Sequence, residues 1–351
     1  MKRLLRRSLK LPAGGIDFTS NDYLGLARSE ELNQMIFDAM SNLPVKRNGS
    51  TGSRLLSGNS RLIEDTETKL AGIFGSEAAL LFDSGYMANL AVLSTLPRRG
   101  DTIIMDDLSH ASLKDGARLS LATKWNFRHN DVDDLRKKLS AAKGDVWIVI
   151  ESIYSMDGDE CPLDKITALA QEFDARIVLD EAHTTGIRKN AVNEEVDVHV
   201  FTFGKAMGIH GACVCSSAEI RNELVNFARP FIYTTAPSDH SVLSVSCAFD
   251  FLESNGHLRD ELMRRVTCFR SSASGIKGWN KSQSQIQAIV VPGYEAVSEA
   301  ASKLQSAGFD VRPILSPTVK EGQERLRICL HTFNTEEEIA ALAKEMISLG
   351  L

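Results

Sequence analysis

Continuous apolar runs that alternate with amphipathic helical segments constrain the fold of this chain most strongly. Such runs are typical of parallel strands that are buried on both faces. Parallel strands need crossover connections, which are usually helices, so the alternation predicts an α/β fold with a mostly parallel central sheet covered by helices. The predicted strands are Ala78–Phe82, Thr102–Asp106, Val146–Glu151, Arg176–Asp180 and Asp197–Phe203. The predicted helices around them are Arg61–Phe74, one that starts near Ala111, Val132–Leu139 and Leu163–Phe173.

The pattern changes near residue 250, after a long predicted helix over Asp239–Ser254. A chain of 351 residues is long enough for two domains. We predict an N-terminal arm over residues 1–27, a large domain over 28–250 and a small C-terminal α/β domain with an antiparallel sheet over 251–351. The predicted C-terminal elements are strands Gln285–Val291, Val311–Ile314 and Arg325–Leu330, and helices Ala296–Ala307 and Thr335–Leu349, the last with a capping box of Thr335 and Glu338.

Charge and cysteine usage narrow the function classes. The formal net charge of −6 argues against a nucleic-acid-binding protein. No apolar run approaches the ~18 residues that a membrane span requires. Residues 1–10 are basic but lack the apolar stretch of a secretory signal. We predict an exposed basic helix that packs on the body of the protein, with a transit peptide as the alternative. The six cysteines have no zinc-ligand spacing, so we predict no metal site and reduced thiols in a cytoplasmic protein.

Asp180 and Lys205 are the polar residues most indicative of chemistry. Asp180 ends one buried strand, and Lys205 follows the next strand within a glycine-rich segment. The carboxyl ends of strands face the ligand crevice in an open α/β sheet. Lys205 is therefore a candidate Schiff-base nucleophile, and Asp180 is a candidate partner for a pyridinium nitrogen. The pair predicts chemistry that depends on pyridoxal 5′-phosphate (PLP), although Asp180 could instead cap a helix.

Three further features belong to the same predicted edge of the sheet. Ser84 and Gly85 open a helix after a strand, where free amides bind phosphate. His110 follows another strand and could stack on a planar cofactor or be structural. Asp180–His183 spells the DEAH box of some helicases, but the accompanying P-loop is missing from the sequence, which excludes that class.

Taken together, the motifs resemble the α-oxoamine synthases, a family of fold-type-I PLP enzymes, from about Phe18 to the C-terminus. Their shared order and spacing carry the resemblance, and the nearest likeness is to the biotin-pathway members. The matching segments are 20–26, 49–54, 84–86, 127–131, 151–159, 180–183, 202–208, 229–235, 284–287, 317–319 and 325–328.

The resemblance implies a role for each candidate residue. Lys205 would bind PLP covalently, Asp180 would face the pyridine nitrogen, His183 would face the phenolic oxygen, and His110 would stack on the ring. A second group would hold the phosphate or lie near the cofactor: Ser84, Gly85, Tyr86, Thr202, Ser155 and, from a partner subunit of a homodimer, Thr235. A third group would contact the substrates: Asn21, Thr318 and Arg327, with Arg327 taking a carboxylate.

The implied reaction is a decarboxylative condensation of an amino acid with an acyl-CoA. L-alanine and pimeloyl-CoA would give 8-amino-7-oxononanoate, CoA and CO₂, with no nucleic acid or membrane as partner. Two alternatives stay open: a glycine C-acetyltransferase, and a non-catalytic scaffold with the same fold. The segment before Phe18 is short for the family, and Arg6 or Arg7 is the candidate for a substrate-binding arginine there. Departures such as Leu315–Val319 leave the acyl group open.

Overall fold

A computed structural model describes residues 9, 14–188 and 192–351 of the chain. The predicted basic helix over residues 1–10, except Leu9, and the candidates Arg6 and Arg7 lie outside these residues. The strands are β1 (Ile16–Asp17), β2 (Ala78–Phe82), β3 (Thr102–Asp106), β4 (Thr123–Phe127), β5 (Val146–Glu151), β6 (Ala175–Asp180), β7 (Val198–Thr202), β8 (Ala212–Ser216), β9 (Ile286–Val290), β10 (Phe309–Asp310), β11 (Arg312–Ile314) and β12 (Arg325–Cys329).

Most of the helices begin at a residue whose side chain caps the first turn, as Ser60, Ser84 and Asp131 do. The helices are α1 (Glu30–Ser41), α2 (Arg61–Phe74), α3 (Gly85–Thr95), α4 (Ala111–Leu119), α5 (Val132–Ala141), α6 (Leu163–Glu172), α7 (Ala218–Phe227), α8 (Arg229–Ile232), α9 (Asp239–Ser254), α10 (His257–Ser272), α11 (Tyr294–Ser306) and α12 (Glu336–Ser348). Short 3₁₀ turns occupy Leu26–Arg28 and Ala273–Gly275.

Contacts divide the described chain into two compact units. The larger unit comprises Leu26–Tyr154 and Glu160–Asn255, and the smaller comprises the described residues up to Gly25 with Ser155–Asp159 and Gly256–Leu351. The domain boundaries drawn from the sequence stay a prediction.

A seven-stranded sheet forms the centre of the larger unit, in the order β2-β8-β7-β6-β5-β3-β4. The pairs from β7 to β4 are parallel, whereas β8 runs antiparallel to both of its neighbours. Strand β2 therefore points the same way as β7, and six of the seven strands bring their carboxyl ends to one edge. This arrangement confirms the predicted mostly parallel sheet.

Apolar side chains cover both faces of this sheet, as continuous apolar strands require. On one face Val149 and Val200 belong to a buried cluster with Leu93 of α3 and Leu113 of α4. On the other face the strands contribute to a second cluster with side chains of α5 and α6, including Leu135 and Leu169. The helices thus fix the strands in the register that aligns their carboxyl ends.

The smaller unit contains the predicted antiparallel sheet, with the order β11-β12-β9. Its core is a separate buried cluster that includes Phe269, Leu326 and Leu342. The predicted capping box is present, since Thr335 accepts a hydrogen bond from the Glu338 N–H and Glu338 accepts one from the Thr335 N–H. Within the described residues, no helix combines the length and apolar character needed to cross a membrane.

Candidate active site

The carboxyl edge of the larger sheet carries a row of polar strand-terminal residues. Strands β3, β5, β6 and β7 end in Asp106, Glu151, Asp180 and Thr202, respectively. Glu151 and Asp180 are direct neighbours in the parallel register of β5 and β6. The two carboxyl groups are 3% and 5% exposed as residues, so acidic groups lie side by side and largely out of water. Such an environment is typical of a functional site.

Lys205 lies in the short connection from β7 to β8, close to His183. Its Nζ is 3.0 Å from the Nε2 atom of His183. The connection is closed at its base by a hydrogen bond of 2.9 Å from the Phe203 N–H to the Gly211 carbonyl oxygen. The structure therefore brings two predicted site residues, the amine and an imidazole, into direct contact.

Two donors hold the Asp180 carboxylate in place. Oδ1 accepts a hydrogen bond of 2.9 Å from the Ala182 N–H, and Oδ2 accepts one of 2.7 Å from Nδ2 of Asn89. Asp180 ends β6 and caps no helix, which removes the alternative reading of this residue. Asn89 is 1% exposed and is absent from the residues predicted from the sequence. The sequence feature that could have indicated Asn89 is a single amide among the otherwise apolar side chains on the buried side of α3.

His110 is the N-cap residue of α4 and is tied to two neighbours. Its backbone N–H donates to Oε1 of Glu151 at 2.5 Å, and its Nδ1 lies 2.7 Å from Oγ of Ser112. Removal of water from the ring lowers the pKa of His110; Lys205 and Lys114 lower it further, while the charge of Asp180 opposes them. The imidazole is thus neutral at neutral pH.

Glu151 is a second residue that the sequence reasoning left out of the site. Burial raises the pKa of its carboxyl to about 8, and the adjacent Asp180 charge adds to this effect. The His110 N–H and the Lys205 amine act in the opposite direction. The sequence signal was a carboxylate at the end of a continuous apolar strand, the same signal that identified Asp180.

The start of α3 forms a narrow cradle beside the end of β7. Ser84 caps the helix by accepting from the Met87 N–H at 3.3 Å. A Cβ atom at Gly85 would lie 2.1 Å from Oγ1 of Thr202, so only glycine fits there. The structure therefore brings Ser84, Gly85 and Thr202 together at a helix N-terminus, where backbone N–H groups attract anions.

Tyr86 and Thr235 lie at exposed positions. Tyr86 is 42% exposed, and its hydroxyl donates to Asp115. Thr235 follows α8 and lines a cavity of about 460 Å³ beside Leu56 and Tyr233. The roles assigned to Tyr86 and Thr235 from the sequence stay predictions.

The smaller unit holds a second cluster around Arg327 on β12. Nε donates to the carbonyl oxygen of Ser155 at 2.6 Å, and Nη2 donates to Oδ1 of Asn21 at 3.0 Å and to the Tyr23 hydroxyl at 3.2 Å. Burial raises the pKa of Tyr23, so the phenol is neutral. Among the described residues, Arg327 makes no ion pair with a carboxylate. The cluster therefore offers positive charge to an anionic ligand.

Thr318 is the substrate-binding candidate that this cluster does not include. It lies on an exposed segment after β11, where its N–H donates to the Leu315 carbonyl oxygen at 2.9 Å. Its predicted contact with a substrate stays a prediction.

Comparisons with known proteins agree with the fold. The sequence model of the family described as aminotransferase class I and II matches residues 13–345. The 8-amino-7-oxononanoate synthase of Emericella nidulans is 36% identical over 97% of this chain and 90% of its own length. The resemblance found in the sequence is thereby confirmed.

Two solved structures are similar over nearly the whole chain. A serine palmitoyltransferase variant from S. paucimobilis, with a bound PLP–myriocin aldimine, has a TM-score of 0.89 and 25% identity, covering 98% of this chain and 91% of that one. The 8-amino-7-oxononanoate synthase from Francisella tularensis has a TM-score of 0.80 and 28% identity, covering 96% and 99%. The predicted fold of type I PLP enzymes is confirmed.

Proposed function

We propose that this chain, which belongs to the class I and II aminotransferase family, is a PLP-dependent acyltransferase. In this proposal it condenses L-alanine with pimeloyl-CoA to give 8-amino-7-oxononanoate, CoA and CO₂. The name of the Emericella nidulans relative, 8-amino-7-oxononanoate synthase, supports the product of this reaction. The observation that carries the proposal is the contact of the Lys205 amine with His183 at the edge of the sheet where Asp180 is buried.

The described residues fit PLP in their donor set. Lys205 offers an amine, Asp180 offers a carboxylate held by two donors, and the cradle at Gly85 offers helix N–H groups beside the Thr202 hydroxyl. A phosphate suits such a helix N-terminus, and a buried carboxylate suits a protonated ring nitrogen. When bound, PLP supplies an electron-withdrawing ring that delocalises negative charge developing at the amino-acid Cα.

Lys205 binds the cofactor and then acts as a base in this proposal. With PLP and the amino acid bound, the free Nζ would take the proton from the substrate Cα. His183 Nε2, 3.0 Å away, positions the amine for that transfer. His110 would pack against the cofactor ring as a neutral imidazole.

Arg327 binds the carboxylate of the amino acid. A guanidinium fork matches a carboxylate with two parallel hydrogen bonds, and the neutral partners Asn21, Tyr23 and Ser155 orient the fork without cancelling its charge. Within the described residues no carboxylate pairs with Arg327, so the substrate carboxylate would be its anionic partner.

We also propose a cytoplasmic homodimer in which Thr235 of one subunit contributes to the site of the other. All six cysteines are free thiols, as expected in a reducing compartment. Leu56 and Tyr233 beside Thr235 are 84% and 73% exposed, which suits a surface that a second copy covers. Sedimentation of the purified chain at two concentrations tests the dimer, and a monomer at both would overturn it.

The test of the proposed function is release of CoA thiol by the PLP-loaded protein supplied with L-alanine and pimeloyl-CoA. The Lys205→Ala variant should lose the release, and Lys124→Ala, at an exposed lysine of β4, is the matched control. Parallel reactions with glycine and acetyl-CoA, and with L-serine and palmitoyl-CoA, measure the competing specificities.

Each outcome bears on a different part of the proposal. Release that depends on Lys205 and is fastest with L-alanine and pimeloyl-CoA supports it in full. Faster turnover of another pair overturns the assigned substrates. The absence of a PLP absorbance band that depends on Lys205 would favour the non-catalytic scaffold.

A further inference from the structure

The Asn89 side chain uses both of its amide hydrogens inside the sheet edge. Nδ2 donates to Oδ2 of Asp180 at 2.7 Å and to Oγ of Ser112 at 2.9 Å. A rotated amide would place its oxygen against the Asp180 carboxylate, where two acceptors repel, so the donor orientation is fixed. Oδ1 has no hydrogen-bond partner in the described structure, although Asn89 is buried. The side chain thus makes both hydrogen bonds that Nδ2 can donate and leaves Oδ1 without a donor.

The Ser112 hydroxyl connects the Asn89 amide to the His110 ring. Because Oγ accepts from Asn89, its own hydrogen is available for the 2.7 Å contact with Nδ1 of His110. The backbone N–H of Ser112 also points to Nδ1, at 3.2 Å. Nδ1 therefore faces two donors and acts as the acceptor of both.

A neutral imidazole that accepts at Nδ1 carries its single proton at Nε2. The groups that face the ring leave it neutral, since desolvation, Lys205 and Lys114 lower the pKa of His110 against the opposing charges of Asp180 and Asp115. In the described part of the chain, Nε2 makes no hydrogen bond. Its N–H is thus available to an acceptor on a bound ligand.

We propose that Asn89 and Ser112 are positioning residues that hold His110 as the Nε2–H tautomer and, through the same amide, fix the carboxylate of Asp180. The inference rests on the proposed function for its purpose, because it would couple Asp180, the proposed partner of the pyridine nitrogen, to His110, the residue proposed to stack on the ring. A single amide on α3 then sets the geometry of residues on β6 and at the start of α4.

A purely structural role for Ser112 at the start of α4 predicts that loss of its hydroxyl leaves the tautomer of His110 unchanged. His110 caps α4 by accepting from the Ser112 backbone N–H, and that cap does not require the serine hydroxyl. The Ser112→Ala variant removes only the hydroxyl and keeps the backbone N–H, whose longer bond of 3.2 Å alone holds Nδ1 as an acceptor less firmly than the two donors together. Ser112→Thr restores a hydroxyl at the same position. Ser109→Ala is the matched control, because Ser109 is also buried, precedes His110 and has an Oγ without a hydrogen-bond partner.

The test is the tautomer of His110, read from ¹H–¹⁵N correlations of the full-length protein labelled at histidine, with and without PLP. Protonated and unprotonated ring nitrogens resonate far apart, and loss of one set of signals in His110→Gln assigns them. We expect Nε2–H in the unmodified protein and in Ser109→Ala, a mixture of tautomers in Ser112→Ala, and recovery in Ser112→Thr.

A second readout follows the Asp180 end of the network. Asn89→Ala should raise the dissociation constant for PLP by about tenfold or more, the loss expected for one hydrogen bond to a charged group. A proton on Nδ1 in the unmodified protein, or a tautomer that Ser112→Ala leaves unchanged, would overturn the inference. Both NMR results are independent of turnover, so a protein inactive toward every acyl-CoA would refute the proposed function and leave this inference standing.

Discussion

Replacement of Glu151 by glutamine should change how the stability of the protein depends on pH. The buried carboxyl has a pKa of about 8 in the folded chain, compared with an ordinary value of 4.5. Between these values the folded chain keeps a proton that the unfolded chain has released. The folded state therefore binds more protons, and the free energy of unfolding falls as pH rises through this window.

The size of the effect follows from the two pKa values. From about pH 5.5 to about pH 8.5 the titration of Glu151 should lower the free energy of unfolding by roughly 3 kcal/mol. Glu151→Gln removes this contribution, while its side-chain oxygen can still accept the His110 N–H. Between the two pH values, the free energy of unfolding of Glu151→Gln should therefore fall by roughly 3 kcal/mol less than that of the unmodified protein.

Urea denaturation of the cofactor-free protein at the two pH values, at one protein concentration, measures the difference. Glu77→Gln, at an exposed position in the same unit, controls for the loss of one glutamate. A difference in free energy between Glu151→Gln and the unmodified protein that stays constant from the lower to the higher pH would refute the reasoning. It would show that Glu151 is ionised in the folded chain throughout.

Two further substitutions test the packing of the larger unit. Gly85→Ala places a Cβ 2.1 Å from Oγ1 of Thr202, so it should lower the free energy of unfolding, measured by urea denaturation, by about 1–3 kcal/mol. Adding Thr202→Ala to this variant should recover part of the loss, and strictly additive losses would contradict the clash. Arg54→Met leaves the Glu67 carboxylate buried without its bidentate partner, which should cost about 3–5 kcal/mol, and the added change Glu67→Gln should reduce the cost. A loss of unfolding free energy below about 1 kcal/mol in Arg54→Met alone would count against a stabilising role for the ion pair of Arg54 with Glu67.

The sheet could be predicted because its strands obey one local rule. Strands β2, β3 and β5 were predicted with the bounds that the structure has, since each is an apolar run buried along its whole length. Strand β4 was not predicted: it lies at the sheet edge, and its Thr123, Lys124 and Asn126 are exposed, so no apolar pattern marks it.

Most ionisable groups of the candidate site could be predicted from the sequence, but Glu151 and the neutral side chains that support the site could not. Asp180 and Lys205 are visible because each follows an apolar strand. Asn89, Ser112 and Glu151 support them across gaps of tens of residues, and such pairing depends on how the strands and helices assemble. A buried amide or hydroxyl in a helix carries no local pattern that names its partner.

The reversed direction of β8 also limits how this protein can diverge. Because β7 and β8 are antiparallel neighbours, Lys205 lies on a short return rather than on a long crossover. Gly208 closes this return with a hydrogen bond of 2.9 Å to the Lys205 carbonyl oxygen, at φ +66°, and a Cβ there would meet the Ala27 nitrogen at 2.2 Å. An insertion in this return would move the amine, so relatives with new substrates should keep its length and vary elsewhere.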